Sequence, residues 1–105
     1  MTRSNFFVKN GVPVGFELEG HTGFDEEGFD VVCAAVSSAA YMTVNTITEV
    51  CGADADVVEK TGFLRMVLQG SSANDGLTVL RGFLLHMEQL AGQYPDCIDF
   101  HIREL

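Results

Sequence analysis

The sequence predicts an α+β fold: a two-layer sandwich in which two helices cover one face of a mixed, mostly antiparallel sheet of five strands. Three observations predict it. Asn10-Gly11 and Thr61-Gly62 each join two runs with apolar residues at every second place. Two longer apolar stretches, from Asp30 to about Val50 and from Leu77 to about Gly92, carry helical spacing. A final alternating run, Ile98 to Arg103, closes the chain. The order is strand, strand, helix, strand, strand, helix, strand. Each apolar face needs one partner layer, which places both helices over one face of the sheet.

The elements follow in chain order. Phe6-Phe7-Val8-Lys9 reads as a strand, and Asn10-Gly11 tolerates the positive φ of a two-residue hairpin turn. Val12 to Glu19 returns as the second strand, with Val12, Val14, Phe16 and Leu18 on one face and Glu17 and Glu19 on the other. Pro13 and Gly15 mark this strand as an edge or as bulged. Thr22 to Phe29 is a loop with two glycines, three acids and two phenylalanines. The first helix has a middle of small residues, Ala34 to Ala40, suited to lying close on a sheet, and Thr43, Thr46 and Thr48 weaken its second half. In the second hairpin Leu64, Met66 and Leu68 alternate with Arg65, Val67 and Gln69. The second helix shows a stripe of Leu77, Leu80, Leu84 and Met87, widened by Val79, Phe83 and Leu90. That width is either a deeper core contact or a homodimer surface.

Composition narrows the function. The 105 residues suit one domain spanning 1–105, and 47% are hydrophobic. A net charge of −9 argues against direct nucleic-acid binding and favours a basic or neutral partner. No run approaches eighteen uninterrupted apolar residues and the first residues lack a signal-peptide core, so no membrane association is expected. Three cysteines, Cys33, Cys51 and Cys97, are an odd number without metal spacing, which fits a reduced, cytoplasmic protein. His86 and His101 lack a second ligand at metal spacing, and no phosphate-cradling loop is present, so neither metal nor cofactor is expected.

The chemistry concentrates between Gly20 and Ser37. His21 follows the second strand, and Cys33 stands near the start of the first helix, three residues after Asp30, a suitable N-cap. Amides converging at a helix start stabilise a thiolate, and an adjacent imidazole shuttles protons. The parts are those of a cysteine nucleophile with a histidine base; the alternative is a small buried hydrophobe and a solvated histidine. His21 has the parity of the polar face, and a bend at Gly20 would re-aim it toward Cys33. Ser37 shares the face of Cys33 and either bonds toward the sulfur or back to its own helix. Asp30 either caps the helix or orients His21, and the amides around Cys33 and Ala34 are the candidate oxyanion donors.

Gly20-His21 followed by Asp30-Val31-Val32-Cys33-Ala34-Ala35-Val36-Ser37 resembles the signature of the ribosomal-processing cysteine protease Prp family. The resemblance extends over the whole chain. Thr22 departs from it, since the family more often carries Ala or Ser there. The resemblance implies a cysteine endopeptidase with Cys33 as nucleophile and His21 as general base. It further implies a homodimer whose substrate is the short hydrophobic N-terminal extension of a large-subunit ribosomal protein. The competing reading is a non-catalytic ribosome-assembly module that holds a buried cysteine.

The loop is expected to gate such a site. Ordering it costs roughly 1–2 kcal/mol per residue in backbone entropy. Burying Phe24 or Phe29 returns about 1.5–3 kcal/mol each. Gly23 and Gly28 let it change shape, so the sequence predicts a loop that closes on peptide.

Overall fold

The computed structural model describes residues 1–20 and 29–105, with side chains described for 1–20 and 31–105. The elements run β1 (Thr2–Lys9), β2 (Val12–Glu19), α1 (Phe29–Asn45), β3 (Ala55–Lys60), β4 (Phe63–Leu68), α2 (Leu77–Gln93) and β5 (Ile98–Glu104). A π-helical turn, Thr46–Val50, prolongs α1, and a 3-10 turn, Ala73–Gly76, leads into α2. The strands form one five-stranded sheet in the order β3-β4-β2-β1-β5. β1 pairs parallel to β5, while β1–β2, β2–β4 and β3–β4 are antiparallel, so the sheet is mixed as expected.

Parity along β1 shows why both helices lie on one face. Thr2, Ser4, Phe6 and Val8 alternate with Arg3, Asn5, Phe7 and Lys9. Thr2 touches Cys33 of α1, and Phe6 packs against Phe83 of α2 with ring centroids 5.5 Å apart. Both contacts belong to the same face of the strand. The core between the layers gathers Phe6, Phe16, Leu18, Leu64, Met66 and Ile98 from the sheet. The helices meet them with Val32, Val36, Ala40, Val44, Leu80, Phe83 and Met87. Burial of each large side chain contributes about 1.5–3 kcal/mol.

Twenty residues from Val31 to Val50 are long and apolar enough, by composition, to cross a membrane. Their apolar stripe of Val32, Val36, Ala40, Val44 and Ile47 is spent on the core instead. Thr43, Thr46 and Thr48 each donate to the carbonyl four residues back, at 2.7, 2.6 and 2.9 Å. That is the back-bonding expected of threonine in a helix interior, and regular α-helix ends at Asn45 among them. Tyr41 of α1 donates its hydroxyl to Glu59, tying edge strand β3 to the helical layer. This hydrogen bond, followed by burial and the charge of Glu59, raises the tyrosine above its ordinary pKa.

Strand β2 departs from its expected pattern. It lies between β1 and β4, so it is no edge; it is bulged instead. Phe7 pairs with Gly15 and Val8 with Pro13, which leaves Val14 as the extra residue. Past the bulge the parity reverses. Pro13 is buried while Val12 is exposed, and the anticipated stripe of Val12, Val14, Phe16 and Leu18 holds only for its last two members. The turn at Asn10-Gly11 has φ of 53° and 79°, the left-handed pair that a two-residue hairpin requires. The wide stripe on α2 is mainly core. Leu80, Phe83 and Met87 are buried, and Val79, Leu84 and Leu90 pack partly against them.

Gly20, at the end of β2, has φ +88°, and a Cβ there would stand 2.7 Å from the backbone oxygen of Met1. Its N–H donates to the Gly62 carbonyl at 3.0 Å, so the bend is held from both sides. Gly20→Ala combines left-handed strain of roughly 1–2 kcal/mol with a backbone clash. We expect its thermal midpoint to fall by at least about 4–8 °C. An unchanged melting curve would show that this bend carries no strain.

Candidate active site

Cys33 is the fifth residue of α1 and is 9% exposed, facing the sheet. Its Sγ lies 3.8 Å from Oγ1 of Thr2, within the longer reach of a hydrogen bond to sulfur, and either atom can donate. Thr2 is fully buried at the start of β1. Its backbone N–H donates to the Cys97 carbonyl at 2.9 Å, tying the strand to the chain that enters β5.

The register brings the other half of the motif to the same end of the sheet. Arg3 pairs with Glu19, so the next step along the two antiparallel strands sets Thr2 beside Gly20. The closeness of Gly20 to the Met1 carbonyl agrees with that step. The residue that touches the cysteine sulfur and the residue that precedes His21 are therefore neighbours across β1 and β2. Gly20, where a local bend was expected, has a left-handed φ. His21, Gly23, Phe24 and Gly28 lie outside the described residues, as do the side chains of Phe29 and Asp30. The expected His21–Cys33 pairing and the expected gating loop fall there too.

Two expectations about the helix start change. The described part of α1 opens at Phe29, so Asp30 stands in its first described turn rather than at the cap. An acid in that turn still complements the positive end of the helix dipole. Only the first amides of a helix lack an intrahelical acceptor, and from a start at Phe29 those of Cys33 and Ala34 fall within the helical ladder. An oxyanion hole built from these two amides would require the first turn to open. Ala34 is exposed, and Ser37, one turn beyond Cys33, is half-buried. Cys51 and Cys97 are both half-buried. Cys51 ends the π-helical turn, and Cys97 packs on the margin of the core. His101 pairs with Asp99 at 2.7 Å, and His86 is exposed on α2.

Thr2 is the neighbour of Cys33 that sequence reasoning missed. The strand was expected to begin at Phe6, because Thr2-Arg3-Ser4-Asn5 is polar. The alternation was nevertheless present, carried inward by the small hydroxyl residues Thr2 and Ser4 ahead of Phe6 and Val8. Extending the period-2 pattern back through small polar residues would have found it.

The sequence profile of the family described as cysteine protease Prp matches residues 1–99. The chain belongs to the Prp family. It is accordingly a cysteine protease, and the matched region contains both Cys33 and Thr2. The ribosomal processing cysteine protease Prp of Bacillus subtilis is 26% identical over 89 residues, covering 79% of this chain and 80% of that protein. A crystal structure of a Streptococcus mutans protein superposes with a TM-score of 0.89 at 25% identity, over 100% of this chain and 99% of that one. The ribosomal processing protease Prp of S. aureus, solved with a substrate peptide, superposes with a TM-score of 0.89 at 19% identity. That match covers 98% of this chain and 100% of the other, and it shows the shared Prp fold.

Proposed function

We propose that this protease is an endopeptidase that removes the short N-terminal extension of a large-subunit ribosomal protein, with Cys33 as nucleophile and His21 as general base. The observation that carries the reading is the family match over residues 1–99, which includes a cysteine inside the first turns of α1. The name of the Bacillus subtilis relative supports ribosomal processing. The net charge of −9 supports a basic partner, because complementary charge speeds encounter. The position of Gly20 beside Thr2 supports His21 as the base, since the residue that precedes His21 in the sequence lies next to the strand that carries the sulfur's neighbour. We place the reaction in the cytoplasm, in keeping with an odd number of cysteines without metal spacing.

In this scheme the Cys33 thiol passes its proton to His21, and the thiolate attacks the scissile carbonyl carbon. The tetrahedral intermediate collapses as the C–N bond breaks, and His21 returns the proton to the leaving amine. Water then attacks the thioester with His21 accepting its proton. The carboxylate product leaves, and the protonated thiol is restored. The competing reading, a non-catalytic module, is disfavoured by membership of a protease family.

Incubation with the precursor of the ribosomal protein, read by mass spectrometry, tests the proposal. The wild-type protein should shorten the precursor at its N-terminus. Cys33→Ala should leave it intact while melting like the wild type, and His21→Ala should slow processing by roughly 10²–10⁴-fold. Undiminished processing by Cys33→Ala would remove Cys33 as nucleophile. A precursor left whole by an enzyme that cleaves other peptides would remove the ribosomal substrate.

We also propose that the enzyme works as a homodimer. Met42 and Leu85 are exposed on the helical layer, and a cavity of about 300 Å³ lined by Ala39, Met42, Val79 and Phe83 opens between α1 and α2. Light scattering should give twice the 11.4 kDa chain mass. A mass of one chain at working concentration would overturn the dimer.

A further inference from the structure

We propose that Thr2 is a positioning residue for Cys33: its hydroxyl donates to the sulfur as the thiol loses its proton, and so both favours and aims the thiolate. This rests on the reading of Cys33 as nucleophile.

Thr2 is fully buried on the inner face of β1, where valine has the same shape and avoids burying a hydroxyl. The hydroxyl therefore calls for a partner, and the structure supplies Sγ of Cys33 at 3.8 Å. A thiol is a weak acceptor and a weak donor, so the contact contributes little while the sulfur is protonated. A thiolate is an ionised acceptor, and a hydroxyl donated to it is worth considerably more. The interaction strengthens as the nucleophile forms, which is the condition for it to accelerate the reaction rather than merely hold the ground state.

The donor is also placed firmly. Pairing with Ile98 of β5, the pairing of the adjacent Arg3 with Glu19 of β2 and the bond from its own N–H to Cys97 fix Thr2 at the start of β1. No bond is made or broken at Thr2. The thiol proton leaves to the base, and the hydroxyl keeps its own proton throughout while sharing it with the sulfur.

The test follows alkylation of Cys33 by iodoacetamide between about pH 5 and 9, assigned by peptide mapping, beside kcat and KM for precursor cleavage. Wild type is compared with Thr2→Val, Thr2→Ser and, as a control for a buried hydroxyl elsewhere on the strand, Ser4→Ala. Thr2→Val should alkylate roughly three- to tenfold more slowly near neutral pH, with its rate profile moved to higher pH. Its kcat should fall by a similar factor with KM little changed, whereas Thr2→Ser and Ser4→Ala should stay close to wild type.

Wild-type behaviour in Thr2→Val overturns the proposal. So does equal impairment in Thr2→Ser, which would make packing rather than the hydroxyl responsible, or equal impairment in Ser4→Ala. If Thr2→Val does not fold, Thr2→Ala against Thr2→Ser decides by the same criteria. A wild-type Cys33 that resists alkylation in the native protein would instead bring down the nucleophile reading, a failure distinct from that of Thr2.

Discussion

The ring of Phe6 packs against Phe16, Phe83 and Phe100 with centroids 5.5 to 5.8 Å away, and Phe16 meets Phe83 edge-on at 4.8 Å. This cluster joins β1, β2, β5 and α2 at one point. With no tryptophan in the chain, phenylalanine carries the large aromatic burial. Because Phe6 is fixed, so is the rest of the inner face of β1. Four residues back on that face, about 13 Å along the strand, stands Thr2 against the sulfur of Cys33. The geometry at the cysteine is thus set by a rigid strand whose middle is clamped by aromatic packing.

The same strand separates two chemistries. Its inner face is apolar at Phe6 and Val8 and hydroxylic at Thr2 and Ser4. The apolar half supports the helical layer, while the hydroxylic half lies at the end of the sheet where β2 leaves through Gly20. Ser4 Oγ is buried without a hydrogen-bond partner among the described residues. Such a departure from a uniform apolar core is tolerated where the surrounding packing holds it in place. Here that support comes from the four phenylalanines and from β1 being paired on both sides.

Much of this was legible in the sequence, for identifiable reasons. Asn10-Gly11 and Thr61-Gly62 fixed both hairpins because few residues satisfy those turns, and Gly20 announced the bend beside the motif. The helical stripe of α2 was readable from Leu80, Phe83 and Met87. Other features depend on tertiary pairing. Nothing local tells β5 to lie parallel to β1, and nothing local moves Val14 into a bulge so that Pro13 faces inward. Thr2 escaped notice because a small polar residue on a buried face does not contribute to an apolar pattern.

The central claim is that peptide cleavage proceeds through a covalent bond to Cys33, and trapping that bond tests it most directly. Substrate peptide is mixed with enzyme, quenched in acid within a turnover, and the intact protein is weighed before fragments are mapped. The account predicts a thioester adduct with the mass of the N-terminal cleavage product, located on Cys33. Efficient cleavage with no such adduct when the thioester is kept from hydrolysing, or an adduct confined to Cys51 or Cys97, would contradict it.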